Sequence, residues 1–102
     1  MSYEFFARLP EETVRVSQQL LHALTRRLPL ALVSMSNEKL SLRWADLPRR
    51  AEWPEDIDLF GNAEGILVSI HVGTAEQRRL LVGVLAEELA KMNAMPVTFE
   101  EP

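Results

Sequence analysis

The chain contains no cysteine. Disulfide cross-links, thiolate zinc sites and a cysteine nucleophile are therefore excluded. Glycine is scarce: Gly61, Gly65, Gly73 and Gly83 are the only four, too scattered to build a phosphate-cradling loop. Histidine occurs twice, as His22 and His71. No run approaches the roughly 18 apolar residues of a membrane-spanning helix. The N-terminus does not read as a secretory signal either, because Glu4 and Arg8 interrupt its first apolar run and no small-residue cleavage site follows. Together these shortages point to a cytoplasmic protein with no membrane association. Positive charge is also short, with 11 Lys and Arg against 15 Asp and Glu and a net charge of −4. A nucleic-acid partner requires a basic face, so none is expected.

What is present is ordinary for a folded domain. At 102 residues, 47% hydrophobic and 25% charged, the composition predicts one domain over residues 1–102 with a single core. Residues 3–9 alternate, with Tyr3, Phe5, Ala7 and Leu9 on one face, which predicts a half-buried strand. Pro10 suits a first helical position, and Val14, Leu20, Leu21, Leu24 and Leu28 follow at helical spacing until Pro29. The continuous apolar run 30–35 reads as a well-buried strand, and 39–44 as its hairpin partner across the Ser36-Asn37-Glu38 turn.

About 20 residues of irregular sequence come next. Ile66, Val68, Ile70 and Val72 then alternate with Leu67, Ser69 and His71 in the clearest strand of the chain. Thr74 with Gln77 makes a capping-box pattern ahead of a helical stripe ending near Asn93, which suits a left-handed C-cap. Gly83 inside that helix implies a close packing contact. Residues 97–100 read as a short last strand. The two ends resemble each other, each running strand, helix, proline, strand. The expected fold is α+β: a two-layer sandwich of ferredoxin-like βαβ halves, with about five strands and two helices on one face.

No constellation for catalysis, cofactor or metal emerges. His71 lies opposite the Ile-Val stripe without a carboxylate at ligand spacing, and reads as a solvated or capped strand histidine. The expectation is that the chain is not an enzyme. Charge is distributed unevenly. Residues 46–64 carry six carboxylates against Arg49 and Arg50, while acids and bases balance elsewhere, so the whole net charge falls in that segment. It also holds Trp53, Ile57, Leu59 and Phe60. Aromatic anchors ringed by charge are the composition of a binding hot spot. The expected partner-binding residues are Trp53, Glu55, Asp56, Asp58, Phe60 and Glu64, on a loop longer than compact domains normally tolerate without a function. The outer sheet face, carrying Phe6 and Leu67 among polar residues, is a second candidate for a partner or a dimer mate.

The stretch Val68-Ser69-Ile70-His71-Val72-Gly73-Thr74, then Gln77-Arg78 and Phe99-Glu100-Glu101, resembles the immunity proteins that bacteria encode beside secreted antibacterial toxins. The resemblance covers about the last 45 residues. It implies a protein-binding inhibitor whose acidic surface occludes the basic site of a cognate toxin or effector. The alternative is a small-ligand-binding regulatory module of ferredoxin-like fold, an analogy at the level of fold alone.

Overall fold

A computed structural model describes residues 2–48 and 55–101 of the chain. Seven elements follow in order: β1 (Tyr3–Arg8), α1 (Gln18–Arg27), β2 (Leu30–Met35), β3 (Lys39–Trp44), β4 (Ile57–Gly61), β5 (Gly65–Ile70) and α2 (Ala75–Asn93). The five strands form one sheet in the order β1-β5-β4-β3-β2, every neighbouring pair antiparallel. The α+β class and the two-layer construction agree with the sequence pattern.

The strand order adds what the pattern could not supply. β2 to β5 run as a meander, and α1 carries the chain from β1 at one edge to β2 at the other. The last strand expected over 97–100 does not form: the tail contributes only one antiparallel bridge, Phe6 to Glu100, on the free side of β1. The second βαβ unit is thus split, with β1 lying between β5 and the tail. The similar-looking ends of the chain occupy different environments, and α1 has 10 residues where α2 has 19.

Both helices pack on one face, where cross-strand rows are apolar. Tyr3, Ile70, Ile57, Leu42 and Leu32 align across all five strands, as do Phe5, Val68, Leu59, Leu40 and Met35. Leu20 and Leu24 of α1 and Leu81, Leu85 and Leu89 of α2 close over their centre in one core. The helices do not reach the sheet's margins, so Tyr3, Leu32 and Met35 remain exposed.

Four further expectations change. The run 30–35 is an edge strand with a bulge at Val33 and not a buried one, because apolar continuity does not reveal which strand lacks a neighbour. The first helix begins at Ser17, which caps Leu20 N at 3.2 Å, and not at Pro10. Residues 10–16 are committed elsewhere. Arg15 donates to the carbonyls of Leu9, Pro10, Asn62 and Ala63, and Val14 pairs its backbone with the Asn93 amide. Asn93 accordingly ends α2 as a clamp, and Ala94 takes the left-handed cap at φ 54°. Finally, Gly83 is exposed, and a β-carbon there would meet none of the described residues within 4 Å.

α2 starts as the capping box requires. Gln77 N donates to Thr74 Oγ1 at 3.1 Å, and Thr74 N to Gln77 Oε1 at 2.8 Å. Among the described residues, no helix is long and apolar enough to cross a membrane.

Candidate functional site

Strand alternation sends every second side chain to the sheet face away from the helices. Register then sorts those side chains into rows. One row runs Phe6, Leu67, Phe60 and Lys39 across β1, β5, β4 and β3. Its three apolar members are half-buried, and the Lys39 ammonium sits 5.4 Å from the Phe60 ring centroid. The next row runs Glu4, Ser69, Asp58, Ser41 and Ser34 across all five strands. An apolar stripe thus lies directly beside a polar one.

At the centre of the polar stripe Asp58 is 6% exposed, a degree of burial that a carboxylate tolerates only when its oxygens are hydrogen-bonded. Ser41 Oγ donates to Oδ1 at 2.6 Å, the His71 ring meets Oδ2 through Nε2 at 2.9 Å, and Lys39 Nζ stands 4.0 Å from Oδ1. The other ring nitrogen of His71, Nδ1, lies 2.6 Å from Ser2 Oγ. The expectation of a histidine without a carboxylate neighbour is therefore corrected: β4 and β5 are adjacent, and their register brings Asp58 beside His71 although 13 residues separate them.

Ser2, His71 and Asp58 form a hydroxyl–imidazole–carboxylate chain with the residue types of a serine-hydrolase relay but the ring nitrogens exchanged, Nδ1 facing the serine and Nε2 the carboxylate. A hydrolase additionally requires donors aimed at a developing oxyanion and a cleft for substrate. By itself the chain fixes one imidazole orientation and keeps a buried carboxylate satisfied. The result is a rigid polar platform.

The later part of the acidic segment is not the loop anticipated from composition, and residues 49–54 lie outside the described ones. Residues 57–61 are the sheet's central strand β4, with Ile57 and Leu59 wholly buried on the helix side. Of the six expected contact residues, Asp56 and Asp58 are buried, Glu55 and Phe60 are half-buried and Glu64 is exposed. Trp53 lies outside the described residues.

Asp56 is a structural clasp. Its Oδ2 accepts from Trp44 N at 2.8 Å, and its carbonyl accepts from His71 N at 2.8 Å and Val72 N at 3.3 Å. Trp44, 1% exposed, adds a bond from its indole Nε1 to the Val72 carbonyl at 2.8 Å. These contacts lock the ends of β3, β4 and β5 together beneath the Asp58 network.

Exposed carboxylates gather instead at the end of the sheet where β1 leads into the 10–17 segment. Glu11, Glu12, Glu38 and Glu64 are all exposed on the loops there, interleaved with the cations Arg8, Arg15 and Lys39. Arg15 holds this rim together through carbonyls on both sides of it, 9–10 and 62–63. Sequence reasoning missed this cluster because its members come from three separate loops.

A third charged group lies on the helix layer. Arg27 of α1 reaches Glu87 and Glu88 of α2, each at 2.7 Å. The Arg27 hydrogen bond, joined by Lys91 at 3.4 Å, holds the buried Glu88 carboxyl below its ordinary value despite desolvation. The hydrogen bonds that Arg27 donates to Glu87 and then to Glu88 raise its pKa above the ordinary arginine value. Among the described residues, no group of three or more potential ligands is placed to hold a metal ion.

No family model, no curated protein and no solved structure matches the chain.

Proposed function

We propose that the chain is a cytoplasmic protein-binding inhibitor of the immunity type, which blocks a cognate antibacterial toxin through the sheet face opposite its helices. One observation carries this reading: the half-buried row Phe6, Leu67 and Phe60 lies beside a polar network already satisfied internally. An apolar row with rigid polar flanks is suited to close packing, since little side-chain order is lost on binding. The exposed carboxylates Glu11, Glu12, Glu38 and Glu64, set among Arg8, Arg15 and Lys39 at one end of the sheet, supply directional attraction toward a basic target. In this reading Phe60 and Glu64 remain contact residues, Glu55 borders the contact, and Asp56 and Asp58 act as supports for it. Trp53 is proposed as a further anchor from its chemistry alone.

The test uses the protein encoded by the adjacent reading frame, co-expressed with the full chain. Protection of the host and a one-to-one complex support the proposal. Phe60→Ala is expected to weaken that complex by about 2 kcal/mol, mainly through faster dissociation. Glu64→Gln with Glu11→Gln is expected to slow association and flatten its salt dependence. A complex indifferent to Phe60→Ala and to Leu67→Glu removes the sheet face from the interface. If the melting temperature rises with a metabolite and not with any protein, the regulatory-module alternative replaces the inhibitor.

A further inference from the structure

Gly83 stands in the middle of α2, where glycine costs about 1 kcal/mol relative to alanine. Nothing among the described residues accounts for it, because a side chain there would meet none of them within 4 Å. The surrounding surface is also unusual. Leu80, one turn before, is 53% exposed, and with Glu76, Arg79, Gly83, Val84 and Glu87 it lines one shallow depression on the outer side of α2.

Helical geometry places positions 76, 79, 80, 83 and 87 on one stripe. Two of the three charges on that stripe are placed evenly about the glycine, while Glu76 has no counterpart because position 90 is alanine. Arg79 lies four residues before it and Glu87 four residues after. Arg79 has no carboxylate within 4 Å among the described residues, while Glu87 engages Arg27 through Oε2 and its side chain remains 60% exposed.

We infer that this stripe is a homodimer interface, in which α2 of a second copy crosses antiparallel over Gly83 on a two-fold axis. The axis sets Arg79 of each copy against Glu87 of the other, giving two identical ion pairs from one surface. Such self-complementarity is what an isologous contact requires. The missing β-carbon lets the two backbones approach closely, and Leu80 of each copy covers the glycine notch of its partner. The antiparallel arrangement also sets opposite helix dipoles side by side.

A 19-residue helix is about 28 Å long, so one helix pair buries less than a standard interface. The dimer is accordingly a concentration-dependent one. It uses the opposite layer from the sheet face proposed for the toxin, so the two readings stand or fall separately.

Sedimentation of the full chain across the micromolar to millimolar range tests it. Arg79→Glu alone and Glu87→Arg alone are each expected to weaken self-association about tenfold or more, by opposing like charges. The doubly exchanged chain is expected to recover it. Positions 79 and 87 are about 12 Å apart along one helix, so recovery cannot arise within a single copy. Gly83→Leu is expected to keep the monomer folded and abolish the dimer.

Because the chain has no cysteine, Gly83→Cys gives an independent readout. It is expected to form a symmetric disulfide under mild oxidation at a concentration where the exposed control Ala45→Cys does not. A monomer at every concentration overturns the inference. So does a dimer that survives Gly83→Leu, or a double exchange that fails to restore association.

Discussion

The covered face of the sheet is apolar from edge to edge, whereas the open face alternates by row, one apolar and the next polar. The two differ because they are stabilised differently. Beneath the helices, burial of Leu40, Leu59, Val68 and Ile70 supplies the driving force, and polar atoms there would be stranded. On the open face Asp58, His71 and Ser41 satisfy one another, which permits burial of a carboxylate without a hydrophobic layer above it. The covered face holds the fold together, and the open face fixes the shape presented to a partner.

Adjacent residues of β4 give the sharpest contrast. Leu59→Ala, at a side chain with no exposure, is expected to cost about 3–4 kcal/mol in urea unfolding. Phe60→Ala, one residue on and facing outward, is expected to cost no more than about 1.5 kcal/mol. Equal losses would mean that the open face is also core.

Asp58→Ala is expected to fall between them, at about 2 kcal/mol, since it leaves Ser41 and His71 without their shared acceptor. Its signature is local: the His71 imidazole resonances should shift and broaden while the helix amides keep their hydrogen-exchange protection. Global loss of protection would assign the network to the core.

The smallest effect concerns pH on the helix side. Glu88 is held below its ordinary value of 4.5, chiefly by the Arg27 hydrogen bond. Its contribution is therefore complete above that value and is lost as pH falls through and below it. Arg27, raised by its bonds to Glu87 and Glu88, stays charged throughout that window. Glu88→Gln is expected to lower stability near neutral pH and to flatten the decline below pH 4.5, read from melting temperatures across an acid series.

Local signals in the sequence were legible where they matched local physics. The alternation of β5 and the Thr74–Gln77 capping box each declare themselves within a few residues, and both stand as expected. β4 was hidden for a physical reason. Asp56 and Asp58 have low strand propensity and resemble loop residues until register supplies their partners from β3 and β5. The pairing of Ile57 and Leu59 around Asp58 was the available period-two signal. The first helix was placed too early because Pro10, Glu11 and Glu12 make a good helix start on their own. What overrode them was tertiary: Arg15 bonds to carbonyls 47 and 48 residues away, and Val14 bonds to an amide 79 away. The Ser2–His71–Asp58 chain has no sequence signature, since its spacing follows from strand order alone.

Strand order also sets a timetable for assembly. During synthesis β1 leaves the ribosome first, yet its ladder partner in β5 lies 57 to 67 residues further along. The meander from β2 to β5 consists of neighbours and can form as it emerges. The opening strand, with Phe5 and Ala7, must wait for that template, and until then its apolar side chains are available to chaperones or to other nascent chains.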